Sequence, residues 1–227
     1  MSANGVLYIV ATPIGNLGDI TLRAIETLKQ VDVIAVEDMR VTRKLLSHFG
    51  ITNRLIGYRE HNEEKEAKGL ISLIQQGKNV ALVSDAGTPG VSDPGFRIVK
   101  QAQQEGIQVV SIPGPSAVIA ALSISGLPTD GFTFLGFSPR KSGKKKKFFE
   151  IAATYPHTCV VYESPFRVLD TLRVIRETMG ARAVFIAREL TKKFEETFYG
   201  EVSEALVWLE GKQAIKGEFV ILIGKKR

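Results

Sequence analysis

The sequence predicts an α/β protein of two α/β/α domains, each built on an open, mostly parallel sheet. Three observations lead there. Short apolar runs, VLYIVA at 6–11 and NVALVS at 79–84, have the continuous apolar character of strands buried on both faces. Helical patterns separate successive runs, as parallel crossovers require. The alternation breaks once, at a passage rich in Pro and Gly over 113–128, and then restarts. An N-terminal domain over 1–115, a connecting region over 116–128 and a C-terminal domain over 129–227 follow, and 227 residues suit two such units.

The elements are expected in this order. After the strand at 6–11 comes a helix with Leu22, Ile25 and Leu28 on one face. A strand at 33–37 precedes a short helix at 42–49, ended by Gly50 as C-cap. A third strand at 55–58 leads to Asn62, an expected N-cap, with Glu63, Glu64 and Glu66 in the first turns and Gly77 closing the helix. After the strand at 79–84, Asp93-Pro94 reads as an N-cap followed by Pro at the first helical position, opening a helix to Gly106. A strand at 107–112 and a small-residue helix at 116–123 follow. The second half repeats the plan, with strands at 132–137, 158–163, 183–188, 196–199 and 218–224. Ser164-Pro165 repeats the cap device and opens a helix closing at Gly180.

Composition bounds the function. Hydrophobic residues make up 44% and charged residues 24%, as in a globular protein. No run approaches 18 apolar residues, so no membrane-spanning helix is expected. Residues 1–4 carry no Lys or Arg before the apolar stretch, so no secretory leader is expected. The single Cys159 excludes a disulfide framework and a Cys-based zinc site, and reads as a small core residue. His48, His61 and His157 are too widely spaced for a metal site, and cytoplasm is the default compartment.

The charge is concentrated. Of 30 basic residues against 24 acidic, six lie in SPRKSGKKKK at 138–147, and without it the chain is neutral. A neutral body with one basic loop points to a polyanion contact through Arg140, Lys141, Lys144, Lys145, Lys146 and Lys147, with nucleic acid the commonest polyanion. The alternative is a solvated loop that binds nothing.

Ligands of open α/β sheets bind outside the carboxyl ends of strands, where three Gly/Pro loops fall: TPIGNLGD at 12–19, DAGTPGVSDPG at 85–95 and PGPSA at 113–117. Gly15 and Gly18 have the spacing of the last two glycines of a dinucleotide fingerprint, and Glu37 stands where its ribose acid belongs. Pro13 occupies the position of the first glycine and lacks the N–H, so a standard Rossmann site is rejected. No Gly-Lys-Ser/Thr follows, so it is not a Walker A loop.

These loops resemble a family. LYIVATPIGNLGD at 7–19, EDMR at 37–40, EHNE at 60–63, VSDAGTPGVSDPG at 83–95, PGPSA at 113–117, SGLP at 125–128, YESP at 162–165 and RELTK at 188–192 occur in the order found in the tetrapyrrole methylase family, the class III S-adenosylmethionine-dependent methyltransferases. The resemblance covers almost the entire chain and is nearest to the branch that methylates small-subunit ribosomal RNA. It departs where that family has Thr and this chain has Met39, and related enzymes often continue with a small C-terminal region beyond the point matching Arg227.

The resemblance implies methylation of the ribose 2′-oxygen of a cytidine, position 1402 of 16S ribosomal RNA, by a cytoplasmic homodimer that needs no metal. It implies a donor lodged between the domains by Pro13, Asp85, Gly87, Thr88, Val91, Ser92, Ser116, Ala117, Tyr162, Leu190, Gly217 and Glu218. A Gly/Pro backbone can meet a flat ligand closely, and Tyr162 can cover it. A ribose hydroxyl is a poor nucleophile, so a general base among Glu37, Asp38, Arg40, His61 and Glu63 is sought, with Arg40 and Arg43 also suited to RNA phosphates. The plainer alternatives are a helix-capping Glu63, a surface pair Asp38–Arg40 and a turn residue His61. Two rival functions share the fold: a precorrin or uroporphyrinogen C-methyltransferase, and a non-catalytic RNA-binding assembly factor.

Overall fold

A computed structural model describes residues 4–225. The segment 1–4, read as carrying no leader, lies outside them except for Asn4. The chain divides after Ser116 into two compact units.

The first unit holds β1 (Leu7–Val10), α1 (Leu22–Gln30), β2 (Val33–Val36), α2 (Met39–His48), β3 (Leu55–Gly57), α3 (Glu63–Gln75), β4 (Val80–Val83), α4 (Phe96–Gln104) and β5 (Val109–Ile112). The strands pair in the order β3-β2-β4-β1-β5, all parallel. A parallel sheet needs cover on both faces, and period-two alternation divides its side chains between two cores. Val10, Ile34, Val36, Ala81 and Val83 pack with Ala24, Leu28 and Leu46 of α1 and α2. Leu7, Val33, Ala35, Val80 and Leu82 pack with α3 and α4 through Ala67, Leu70, Ile71, Ile74, Ile98 and Ala102.

Several boundaries differ from expectation for local reasons. Thr21 caps α1 by accepting from the Ala24 N–H at 3.1 Å, and the inward stripe is Ala24, Thr27 and Leu28. Leu22 stands at the first helical position and is 79% exposed, so it is not on the buried face. Helix α2 starts three residues before the expected Thr42, because the Asp38 carboxylate accepts from the Arg40 N–H at 2.8 Å and caps it. Gly50 ends it in the left-handed region, as expected.

Helix α4 starts at Phe96, with Gly95 rather than Asp93 at its N-cap. A buried carboxylate from α3 replaces the expected cap: Glu63 Oε1 accepts from the N–H groups of Gly95 at 2.9 Å and Arg97 at 3.3 Å. Asn62 does not cap α3; its side chain accepts instead from the Arg59 N–H.

The second unit holds α5 (Ala117–Ile124), β6 (Phe132–Phe137), α6 (Ser142–Ala152), β7 (Thr158–Glu163), α7 (Val168–Met179), β8 (Ala183–Arg188), β9 (Glu196–Glu201), α8 (Val202–Glu210) and β10 (Phe219–Ile223). The sheet order is β6-β7-β10-β8-β9. Only β6 and β7 pair parallel; β10 is antiparallel to both neighbours, and β8 to β9. The expected mostly parallel sheet is therefore mixed here. The short link from β8 to β9 permits only an antiparallel return. One core joins α6, α7 and α8 to the sheet around Phe149, Leu172, Leu209, Phe219 and Ile221. The segment 116–128, read as a connection, contains α5, whose Val118, Ala121 and Leu122 are buried.

Two further expectations are corrected. The lysine run is not a loop: Lys144–Lys147 lie in α6. Ser164-Pro165 does not cap α7; the Ser164 carbonyl accepts from the Arg167 and Val168 N–H groups in a turn before the helix starts.

Candidate functional site

The carboxyl ends of β1 and β4 form the switch point of the first unit's sheet. These strands are neighbours, yet the chain leaves β1 for α1 on one face and β4 for α4 on the other. Loops diverge from adjacent strands at this switch point, where open α/β sheets bind ligands. Thr12 and Gly87 bridge the two loops with reciprocal backbone hydrogen bonds of 2.9 and 3.0 Å, and the Thr12 hydroxyl donates to the Ser84 carbonyl at 3.0 Å. Pro13 is buried beside them. The loop after β5 closes in: a Cβ on Gly114 would lie 3.1 Å from the Cβ of Ala11. All three Gly/Pro loops thus meet at one sheet edge.

The loop after β4 needs its glycines. Gly87 and Gly90 have φ of 81° and 82°. A Cβ on Gly95 would meet the Gly90 nitrogen at 2.9 Å, so the loop closes on itself only with glycine there. Ser92 takes φ 63° without being glycine, the kind of backbone strain found at ligand-holding segments. Thr88 is half-buried and Val91 exposed.

Carboxylates surround the ends of β2 and β4. The Asp85 carboxylate accepts from the Asp38 N–H at 3.0 Å, and Glu37 accepts from the Asp85 N–H at 3.4 Å. Burial raises the pKa of both Glu37 and Asp85. Burial, with the neighbouring charge of Glu37, pushes Asp93 up to about 6, against the pull of the Ser84 hydroxyl. The Arg40 guanidinium holds Asp38 well below the ordinary carboxylate range, at 2.7 Å. Glu37, Asp38, Arg40 and Asp85 are thus brought together. His61 and Arg43 are exposed, and neither has a hydrogen bond or ion pair to these groups among the described residues. Glu63 is withdrawn from the candidate bases: it is buried, taken up by α4 and by the Tyr58 hydroxyl at 3.0 Å.

In the second unit Tyr162 lies edge-on to Phe134 and Phe137, at 4.9 and 5.5 Å between centroids. The segment after β8 is strained at two non-glycine residues, Glu189 (φ 52°) and Thr191 (φ 66°), flanking buried Leu190. Gly217 has φ 91°, and a side chain there would collide with Glu189. Glu189 and Glu218 exchange hydrogen bonds at 2.9 Å, and Lys192 pairs with both. The hydroxyl of Thr191 is buried with no partner among the described residues. An orphaned hydroxyl on a strained loop fits a segment that hydrogen-bonds an incoming ligand. Ser116 and Ala117 are half-buried.

The sequence reading missed a polar anchor around Glu163, which is 1% exposed. Glu163 pairs with Arg167 at 2.6 Å, accepts from Thr171 at 2.7 Å and from the Ser164 N–H at 2.8 Å, and holds the Ser138 hydroxyl. Lys145 is equally buried and donates to Asp170 at 2.6 Å and Thr171 at 3.1 Å. Its expected RNA contact is therefore corrected to an internal one. Lys146 pairs with Glu177 at 2.6 Å. Arg140, Lys141, Lys144 and Lys147 remain exposed. The only sequence signal for the anchor was an acid between an apolar strand and a proline in YESP.

Among the described residues no group of three His, Cys, Asp or Glu is arranged to hold a metal, and no helix is long and apolar enough to cross a membrane.

Residues 6–206 match the family described as Tetrapyrrole (Corrin/Porphyrin) Methylases. The chain belongs to the tetrapyrrole methylase family. Within it, the chain is 49% identical to the ribosomal RNA small subunit methyltransferase I of Halalkalibacterium halodurans, covering 96% of this chain and 75% of the relative. It is 50% identical to the protein of that name from Vibrio cholerae (96% and 76%) and 47% identical to that of Escherichia coli (98% and 78%). Solved tetrapyrrole methylase folds resemble it at lower identity. A diphthine synthase matches 98% of this chain and 91% of its own at TM-score 0.76 and 16% identity. A uroporphyrin-III-C-methyltransferase from Thermus thermophilus matches 97% and 94% at TM-score 0.65 and 20% identity. Met39, the departure from the family's Thr, packs half-buried in the α1–α2 core.

Proposed function

We propose that this chain transfers a methyl group from S-adenosylmethionine to the ribose 2′-oxygen of a cytidine in small-subunit ribosomal RNA, at position 1402 of the 16S molecule. The observation that carries this is the 47–50% identity, over 96–98% of the chain, to relatives named ribosomal RNA small subunit methyltransferase I. The switch-point loops and the strained segment with its orphaned Thr191 hydroxyl support a bound cofactor.

When bound, the cofactor would supply an electrophilic methyl on a sulfonium, with the neutral thioether as leaving group for in-line attack by the ribose oxygen. In the first unit Pro13, Asp85, Gly87, Thr88, Val91, Ser92 and Ser116 would hold it. In the second, Ala117, Tyr162, Leu190, Gly217 and Glu218 would do so. Fixed loops suit this work, since positioning supplies much of the acceleration of a group transfer. The carboxylates take the proton from the hydroxyl as the oxygen–carbon bond forms. Asp93, with a pKa of about 6, has the affinity a general base needs near neutral pH, and Glu37 stands beside it. Arg43, Arg140, Lys141, Lys144 and Lys147 hold phosphates. A cytoplasmic homodimer without a metal completes this reading.

The test is incubation of unmodified small subunits with labelled S-adenosylmethionine, followed by digestion to nucleosides. Label in 2′-O-methylcytidine supports the proposal; label in a base-methylated nucleoside overturns it.

A further inference from the structure

We propose that the edge formed by the ends of β6 and β7 is a stacking platform for unpaired RNA bases, with Phe166 and Phe137 as its stacking side chains. The inference rests on the ribosomal RNA reading and names how that substrate is held.

Phe166 is 94% exposed and Phe137 is 54% exposed. A Phe held almost fully in water forgoes the stabilisation of burial, and its ring face is open to a stacking partner. The backbone presents Phe137 deliberately. Strand side chains alternate faces, so Phe134 and Phe137, three apart, should point oppositely. A shift in the β6–β7 register between them, with Gly136 at φ 67°, puts both rings against Tyr162 on one face. Ser138 then turns to the other face, toward buried Glu163.

Both aromatics adjoin anchored residues. Arg167, next to Phe166, donates to the Ser138 carbonyl at 2.9 Å and pairs with Glu163 at 2.6 Å. Ser138, next to Phe137, is thereby tied to the same guanidinium and carboxylate. The end of β6 and the turn carrying Phe166 are joined through Ser138, which bonds to both members of the partly buried Glu163–Arg167 ion pair. Such a pair adds little net stability, so its value here is in fixing geometry.

Cations follow at once. Arg140, Lys141 and Lys144 are exposed and make no ion pair among the described residues, whereas Lys145 is buried and Lys146 forms a surface pair with Glu177. Aromatic faces for bases beside cations for phosphates are the features of single-strand binding. Duplex RNA hides its base faces, so the platform selects unpaired segments. A second copy of the chain would bring the same positive charge to this edge, which disfavours it as the occupant.

The test uses the full chain, an oligouridylate of about twelve nucleotides, and inorganic polyphosphate as a polyanion without bases. Phe166→Ala is expected to weaken oligouridylate binding about tenfold, leave polyphosphate binding and the salt slope unchanged, and be rescued by Phe166→Trp. Phe137→Ala, checked for an unaltered melting temperature, behaves alike. Arg140→Ala with Lys144→Ala weakens both probes and flattens the salt slope. Unchanged RNA affinity in both Phe variants overturns the platform, as does equal loss for polyphosphate, or dissociation of a dimer by Phe166→Ala in sedimentation. Methyl transfer by the wild type to small subunits is scored separately. Transfer with RNA affinity indifferent to both Phe residues removes the platform and leaves the reaction. Phe166-dependent RNA binding without transfer does the reverse.

Discussion

Thr12 and Gly87 exchange both of their backbone hydrogen bonds, at 2.9 and 3.0 Å, so the loops leaving β1 and β4 are one mechanical piece. That bond pair sits where the chain diverges to opposite faces of the sheet, and it depends on Gly87 holding a φ of 81°.

Gly87→Ala is expected to lower stability by about 1–2 kcal/mol, since a side chain disfavours the left-handed region, and to weaken S-adenosylmethionine binding at least tenfold. Gly50, with φ 63° and open space around it at the end of α2, is the control. Gly50→Ala should cost similar stability and leave donor affinity intact. Calorimetric titration of both variants decides; equal donor affinity in the two removes the β1–β4 loops from the binding site.

Asp93 sets a pH dependence. Its folded pKa of about 6 lies above the 3.8 of an unperturbed carboxyl. The folded state therefore holds the proton more tightly than the unfolded state. Stability contributed by that proton is present below about pH 4 and is lost as pH rises through about 6. Asp93→Asn should remove this loss, gaining about 1–2 kcal/mol at pH 7 after allowance for partial exposure. Urea unfolding from pH 4 to 8 checks it; a variant less stable than wild type at pH 7 contradicts the assignment.

Glu63 separates a structural carboxylate from a catalytic one. Glu63→Ala leaves the start of α4 and the Tyr58 hydroxyl without their partner, and should cost about 2–3 kcal/mol. Below its melting transition the folded variant should keep wild-type turnover per molecule. A large fall in turnover without loss of stability would return Glu63 to the catalytic candidates.

The lysine helix divides by burial. Lys145→Ala should destabilise by about 1–3 kcal/mol, since Lys145 is 1% exposed and bonded to Asp170 and Thr171. Lys144→Ala with Lys147→Ala should change stability by less than about 0.5 kcal/mol per site and lower the salt dependence of RNA binding. Melting curves beside binding at several salt concentrations distinguish them; an unaltered slope in the double variant rules out phosphate contacts by these two residues.

What the sequence could reveal followed the range of the interactions. The run at 79–84 was legible as a buried parallel strand because burial on both faces writes a continuous apolar string. The same kind of string at 219–223 shows that β10 is buried but says nothing of its direction, so its antiparallel insertion between β7 and β8 stayed hidden. The start of α4 was misplaced because its cap comes from Glu63, 32 residues earlier, while Asp93-Pro94 offered a local device that the fold does not use. Six cations in ten residues looked solvated, and the acceptors of Lys145 lie 25 and 26 residues on. At the site, the Gly/Pro loops were visible as backbone requirements. The Glu163 anchor and the orphaned Thr191 hydroxyl exist only once the chain is folded.

The account turns on which acceptor receives the methyl group. The most direct measurement offers the full chain labelled S-adenosylmethionine with unmodified small ribosomal subunits and, in parallel, with uroporphyrinogen III. Label confined to one cytidine ribose of the subunit RNA is the expected result. Label in the tetrapyrrole, or in neither acceptor despite donor binding, contradicts it.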